Sequence, residues 1–516
     1  MIKPVLASAA MATEMTPNRA VADSQGRADT AGVYGRAWER LIAPHAVLVV
    51  VSVAYSVACL TLVPRDLGLS WDEIVYTSQF GVDLVPMPWG GHRAWGSALL
   101  VAPVAVFTKS ITVLRTYLAV VAGLAMFLAF RPWLEVFDRG RLVRHTAPLA
   151  ALLFGLTWLS IYYGTKGYPN LWLAFALVAG TGHFITALRR PAAVGPLVGA
   201  FLAFTVAALF RPTDTVAAAA PIALTLLVPR WRSPKAVAVA LAGVAVGTAP
   251  WVIEAFLRFG GPINRLQRST GAANAGLRLR LVDQLHAADG PYLLCSPQTC
   301  GGVTTGVAAW WVGQVLVAVI GVLIARRTRL FLPVLLVLAS AAAFAGPYFT
   351  VVGNSHPRFL IPAYALLAVA VAYALLGVIS RSLGRARLLT AALVAAGVLG
   401  QGTAHGETLA RARDIQVGIS EQTRVSVAVL REKGVTAPCL LYGRYAVGLS
   451  YETGCDRAQT DRPPVARNEV IQRALADGHR VVLLYGGDVE LPEPFAGWQR
   501  VRLPEYGDFY AYLSPR

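Results

Sequence analysis

The sequence predicts a mainly α, polytopic membrane protein of about eleven transmembrane helices, followed by a small C-terminal extracytoplasmic α/β domain. Three observations predict it. Of the 516 residues, 56% are hydrophobic and only 14% charged, against roughly 25% charged in soluble domains. Apolar runs long enough to cross a bilayer recur along most of the chain. From residue 404 onward the pattern changes to short alternating strands and amphipathic helices.

The apolar runs lie near 44–63, 112–130, 147–163, 170–188, 193–210, 213–229, 236–253, 306–324, 330–350, 359–379 and 387–403. Residues 1–43 are polar and without periodicity, and read as a disordered cytoplasmic tail. No apolar core of a cleaved signal peptide precedes Val47. Lys/Arg clusters recur at alternate connections: 131–145, 189–190, 229–235, 326–329 and 380–387. A cytoplasmic N-terminus puts all five on the cytoplasmic side, as positive loops require. Counting 92–110 as a further span would turn all five outward, so this segment reads as a juxtamembrane or re-entrant helix. The connections 64–111, 164–169, 211–212, 254–305 and 351–358 then face out, as does everything after 403.

The formal net charge is +18. Beyond residue 404, 14 basic residues balance 14 acidic ones, so the whole excess lies among the spans and their loops. That distribution indicates anionic lipid as the partner and argues against nucleic acid. In the tail, "VSVAVLREKG" reads as an amphipathic helix, "NEVIQRALADGH" as another, and "APCLLYG", "RVVLLYGG", "WQRVRL" and "DFYAYL" as strands. The repeated "LLYG" suggests a parallel pair. Cys59 falls within the first span. Cys295, Cys300, Cys439 and Cys455 lack histidines at zinc-site spacing and are disulfide candidates if extracytoplasmic, the alternative being buried thiols.

Charged residues beside the spans are where chemistry is expected. "LSWDEIVYTSQF" (69–80) sets Asp72 and Glu73 next to an apolar run. A carboxylate there acts as general base, metal ligand or helix cap, and Ser70 or Asp72 is placed to open a helix. Tyr76, four residues on, shares the helical face of Asp72. Lys166, Arg211, His356 and Arg358 fall in connections on the same side, where cations suit a phosphate, or alternatively snorkel to headgroups. Glu254 and Asp214 are possible ion partners in that layer. Loop 254–305 adds Arg258, Arg265, Arg268, Arg278 and Arg280, which fit either a lipid phosphate or polyanionic acceptor, or an amphipathic surface helix.

The order of these motifs resembles the GT-C superfamily of membrane glycosyltransferases: "WDE" (71–73) after the first span, "HRAWGSALL…LRTYLAVV" (92–121), "YP" (168–169), "FRP" (210–212) and "HPRFLIPAYALL" (356–367). It looks most like the branch containing protein O-mannosyltransferases and lipid-A aminoarabinose transferases. In this chain Arg93-Ala-Trp stands where that superfamily usually has Pro-Pro.

The resemblance implies an inverting transfer of sugar from a polyprenyl-phosphate donor to an acceptor hydroxyl outside the cytoplasm. The acceptor would be a glycan, glycolipid or protein. Asp72 would be the catalytic carboxylate, with Glu73 supporting it or holding a divalent metal (Mg, Mn or Ca). Lys166, Arg211, His356 and Arg358 would meet the donor phosphate, and Tyr76, His92 and Tyr168 the substrate. High Ala, Gly and Arg content suggests a GC-rich bacterium and hence a plasma-membrane enzyme of cell-envelope biogenesis using decaprenyl or undecaprenyl phosphate. Two other readings are a lipid-linked oligosaccharide polymerase or ligase centred on the Arg-rich loop, and a non-enzymatic lipid transporter or flippase. The second predicts internal repeats and midplane charges, and neither is evident.

Overall fold

The structure is a computed structural model and describes residues 43–516 except 83, 273, 291–302, 459, 461–463, 466, 488, 504–507 and 516. Each of the eleven apolar runs forms a helix or a broken helix. In chain order the helical elements are α1 (Pro44–Leu62), α2 (Trp71–Ser78), α3 (Gly96–Ala105), α4 (Ile111–Val136), α5 (Thr146–Gly155), α6 (Trp158–Gly164), α7 (Pro169–Arg189), α8 (Val194–Phe210), α9 (Pro212–Leu224), α10 (Pro234–Phe259), α11 (Pro262–Ala272), α12 (Leu281–Asp289), α13 (Thr305–Ala325), α14 (Phe331–Thr350), α15 (Ile361–Arg381) and α16 (Gly384–Glu432). Prolines at the first turns of α1, α7, α9 and α10 start those helices without losing a backbone hydrogen bond.

Among the described residues, eight helices are long and apolar enough to cross a membrane, and up to nine if the bent α5/α6 pair is one span. The chain is a multi-pass membrane protein. The expectation of about eleven spans is therefore met only in part, because α8 and α9 are shorter apolar helices. Their run is interrupted at Arg211-Pro212, where the backbone turns extended and each helix must stop. The 17 residues of α8 span about 25 Å, short of the ~30 Å apolar layer. Segment 92–110 contains only the ten-residue α3, about 15 Å long and too short to cross. Gly96 lets α3 abut the end of α8: a Cβ there would lie 2.8 Å from Leu209 O and 2.8 Å from the Phe210 Cα.

The connections sort to two ends of the bundle. At one end Arg189 donates to Val136 O (2.6 Å) and Arg329 O (3.1 Å), Arg329 pairs with Asp138 (2.6 Å), Arg190 pairs with Glu135 (2.8 Å), and Arg381 reaches Ile324 O (3.3 Å). Four of the five basic clusters thus meet there. The opposite end gathers 64–111, 165–168, Arg211 and 351–360. The most enclosed spans are α7 and α15.

The last helix of the bundle, α16, has 49 residues, a length of about 74 Å. The expected domain boundary at 404 falls inside it: composition changes where the helix leaves its apolar surroundings, and the backbone does not break. Beyond it come β1 (Cys439–Gly443), α17 (Ala446–Thr453), β2 (Asp456–Ala458), α18 (Glu469–Ala476), β3 (Arg480–Gly486), β4 (Gln499–Leu503) and β5 (Phe509–Leu513). The sheet order is β2-β1-β3-β5-β4. β1 is parallel to β2 and β3, while β5 is antiparallel to β3 and β4. The two "LLYG" strands are indeed parallel neighbours, offset by two residues so that Tyr442 faces Leu483. An offset of two preserves which side chains share a face. Neither α17 nor β2 is legible as an element in the sequence.

Gly443, at φ +121°, lies so close to β3 that a Cβ there would collide with Leu484 O. Cys439 and Cys455 form a disulfide joining β1 to the residue just before β2, Cys59 is buried and free, and Cys295 and Cys300 lie outside the described residues.

The sheet domain docks on the helices through α17. Val447 and Tyr451 pack against Ile74, Val75 and Met87, and the Tyr451 hydroxyl donates to Lys109 O (3.1 Å). Arg424 pairs with Asp66 at 2.8 Å, and Ser420 Oγ accepts from Gly68 N at 3.0 Å.

Candidate active site

Helix α2 carries both carboxylates into position. Ser70 is its N-cap, and Glu73 reaches back to Ser70 N (3.2 Å) and Oγ (2.9 Å) in a capping box. The cap is therefore Ser70, with Glu73 as its reciprocal partner. Consecutive helical residues point about 100° apart, so Asp72 and Glu73 enter different surroundings.

Glu73 is 2% exposed. Its carboxylate pairs with Arg115, which reaches both oxygens, and accepts from Gly167 N at 3.1 Å. Lys166 Nζ lies 3.8 Å away. Arg115, on α4, also donates to the carbonyls of Leu67 (3.2 Å), Gly68 (3.0 Å) and Thr165 (2.8 Å). One buried guanidinium thus ties loop 64–70, α2 and loop 165–168 together. Burial pushes the Glu73 carboxyl up, but Arg115 and Lys166 outweigh it and bring it down to about 2. Burial and the nearby Arg115 lower Lys166 to about 7, against the pull of Glu73. Tyr168 donates to Ser70 Oγ at 2.7 Å.

Asp72 instead lines a cavity of roughly 400 Å³. Arg93 Nη2 meets Oδ1 at 2.8 Å and Arg358 Nη2 meets Oδ2 at 3.1 Å. Burial raises the Asp72 carboxyl, yet these two guanidiniums prevail and hold it below the usual aspartate range. Arg93 stacks over Tyr76 (5.3 Å) and Arg358 over Tyr168 (4.6 Å). His356 Nδ1 lies 3.4 Å from Arg358 Nη1. His92, also on the wall, is lowered to about 4 by burial and by Arg93, and stays neutral at neutral pH. The facing wall holds Arg211, paired with Asp214 and donating to the Tyr348 hydroxyl (3.1 Å), which itself donates to Asp214 (2.7 Å). Trp251, Leu266, Phe344, Pro347, Val351 and Val352 make the remainder largely apolar.

Of the residues that the sequence singles out, Asp72, Tyr76, His92, Arg211, His356 and Arg358 converge on this cavity. Glu73, Lys166 and Tyr168 are not in its lining and form the framework beneath it. Sequence reasoning left out Arg93 and Arg115. A lone arginine in "ITVLRTYLAVV" is a signal for Arg115, since intramembrane charge is costly unless paired. For Arg93 only its adjacency to His92 pointed there, and for Tyr348, near the end of an apolar helix, nothing did.

Arg265, from the Arg-rich loop, is fully buried. It donates to Gly91 O (3.0 Å), Arg93 O (2.9 Å) and Trp251 O (2.6 Å), and pairs with Glu254 at 2.8 Å. It holds the turn that presents His92 and Arg93. Arg258 pairs with Glu254 at 3.2 Å and Arg280 with Asp283 at 3.5 Å.

A divalent metal does not fit these donors. Both Asp72 oxygens face guanidiniums, and both Glu73 oxygens are held by Arg115 and backbone or side-chain donors. Among the described residues no group of three His, Cys, Asp or Glu could hold a metal ion.

No family model and no curated protein matches the chain. Solved structures do. ArnT from Cupriavidus metallidurans bound to undecaprenyl phosphate aligns with a TM-score of 0.57 at 13% identity, covering 91% of this chain and 98% of that one. The same protein in the apo state gives 0.59 at 14%, covering 91% and 99%. The apo oligosaccharyltransferase of Archaeoglobus fulgidus gives 0.53 at 13%, covering 86% and 69%. At these identities the likeness concerns architecture. The chain has the fold of the GT-C superfamily of membrane glycosyltransferases, the superfamily of both proteins.

Proposed function

We propose that this protein is an inverting glycosyltransferase that moves a sugar from a polyprenyl-phosphate donor to an acceptor hydroxyl on the extracytoplasmic side of the membrane. The observation that carries the reading is the placement of Asp72: an ionised carboxylate on the wall of a cavity that is cationic at its polar end and apolar elsewhere. A prenyl phosphate needs both halves. The clustering of the basic loops at the opposite end supports an extracytoplasmic site.

In the reaction the acceptor hydroxyl donates a hydrogen bond to Asp72 and attacks the anomeric carbon. The new C–O bond forms on the face opposite the leaving group, inverting the configuration. The bond from that carbon to the phosphate oxygen breaks, and its electron pair stays on the phosphate. Two guanidiniums make Asp72 a weak base, so it orients the hydroxyl first. It takes the proton late, once bond formation has made the attacking oxygen acidic. Charge developing on the phosphate is met by Arg211 and Arg358, already fixed by Asp214, Tyr348 and Tyr168 in a cavity otherwise walled largely by apolar side chains. Glu73 does not touch the reacting atoms and holds α2 against Arg115. With Arg265 absorbed into the turn at 91–93, the Arg-rich loop offers less to the polymerase or ligase reading.

Membranes given radiolabelled polyprenyl-phosphate sugars and an acceptor test the assignment. Transfer should fall by about 10²-fold or more in Asp72→Asn and Asp72→Ala, and full activity in both overturns it. A cysteine at Gln79 should react with an impermeant thiol reagent in whole cells while one at Leu142 stays protected. The reverse pattern inverts the sidedness.

A further inference from the structure

Segment 253–282 carries an apolar surface that neither the fold nor the proposed reaction uses. Phe256 and Leu257 at the end of α10 are 67% and 78% exposed, Ile263 on α11 is 73% exposed, and Leu277 and Leu279 reach 90% and 74%. The surface continues that of α10, a candidate membrane span whose Val246 and Ile253 are 51% and 58% exposed. Unlike a span, it is interleaved with the exposed cations Arg258, Arg268 and Arg278.

It is not a slack loop. Gly276, Arg278 and Arg280 donate their backbone N–H groups to Val351 O, Thr350 O and Phe349 O at 2.8 to 2.9 Å, laying 276–280 along the end of α14 as an extended strap. Arg265 pins α11 from beneath. Leu266, Ser269, Thr270 and Ala275 line the Asp72 cavity, so the segment is also the partition between that cavity and whatever lies outside it.

We propose that α11 and the 276–280 strap form a membrane-seated wall. Ile263, Leu277 and Leu279 would enter the boundary between headgroups and acyl chains, and Arg258, Arg268 and Arg278 would bind the phosphates of anionic lipids. Apolar side chains at this exposure belong in lipid. Arginines beside them match the phosphates of anionic lipids, each adding attraction that weakens with salt. The bilayer is the occupant because the surface is continuous with the lipid-facing side of α10. This inference needs only that the chain spans a membrane and is independent of the reaction proposed above.

The test uses the full-length protein in nanodiscs of phosphatidylcholine with three parts in ten phosphatidylglycerol. A photo-crosslinking benzophenone residue replaces Leu277 or Leu279, with Gln472 on the sheet domain as the control site, and adducts are identified by mass spectrometry. Lipid adducts are expected at 277 and 279 and not at 472. Phosphatidylglycerol should be enriched about twofold over its share of the lipid, with the enrichment lost in Arg268→Gln/Arg278→Gln or in high salt. Lipid adducts absent from 277 and 279, or adducts that mirror the lipid composition, overturn the proposal.

Discussion

Asp72 and Glu73 are neighbours in sequence, yet the two sides of α2 treat them oppositely. The Glu73 side is closed: a carboxylate 2% exposed, between a fully buried arginine and a buried lysine, with backbone donors completing its shell. The Asp72 side is open: its arginines come from two other segments and its oxygens border a cavity. Both carboxylates are ionised, but only one borders a space that can admit a substrate. Ion pairing on the first side specifies where α2 lies, and on the second it sets how basic Asp72 is.

Breaking each side separately should give different kinds of loss. On the open side, Asp72→Asn should lower sugar transfer by about 10²–10⁴-fold, the usual worth of a positioned proton acceptor, with a fall in melting temperature smaller than on the closed side, because the Asp72 side chain is 23% exposed where that of Glu73 is 2%. On the closed side, Glu73→Gln leaves Arg115 buried without its counter-charge, a loss of about 3–5 kcal/mol. It should show in thermal unfolding and in the amount of folded protein. Glu73 also predicts a pH signature. Its carboxyl is lowered from 4.5 to about 2, so its contribution is complete above the unfolded value and disappears as pH falls through the folded one. The wild type should lose stability across that window more steeply than Glu73→Gln.

Arg93→Gln sharpens the comparison with a smaller effect. Without Arg93 the Asp72 carboxyl should rise toward its ordinary value, moving the acid limb of the kcat/KM profile to higher pH. An unmoved limb would detach Arg93 from Asp72. Lys166→Met should matter least for transfer, under about fivefold, equivalent to roughly 1 kcal/mol, because Lys166 sits on the closed side. Its amine is lowered from 10.5 to about 7, so charging it opposes folding most below pH 7, and that penalty fades as pH rises toward 10.5. Lys166→Met should therefore gain stability relative to wild type at pH 6, as read by thermal unfolding.

The sequence made the architecture legible because membrane helices are written in long apolar runs, and positive loops are local features that order the connections. Four of the five β-strands from 439 onward were equally plain, through their alternation and the repeated "LLYG", and only the three-residue β2 was not. The break at Arg211-Pro212 and the uninterrupted 49 residues of α16 were not, because helix ends depend on local backbone geometry that apolarity does not report. In the site, Asp72, Arg211 and Arg358 could be picked as charges bordering apolar runs. Which of the adjacent carboxylates faces the cavity is indicated in the sequence only by the family resemblance, since the burial of the other depends on Arg115, which lies 42 residues from Glu73 in the chain. Lys166 shows the same limit: a cation on the right side of the bundle can belong to the framework and stand away from the ligand.

The proposed division of labour, with Asp72 acting on substrate and Glu73 holding the scaffold, comes down to one paired experiment. Thermal unfolding and sugar transfer are measured on the same purified preparations of Asp72→Asn and Glu73→Gln. Asp72→Asn should be inactive with the smaller loss of stability, and Glu73→Gln the more destabilised, with its remaining folded fraction still transferring sugar. A stable but inactive Glu73→Gln beside an active Asp72→Asn would exchange the two roles.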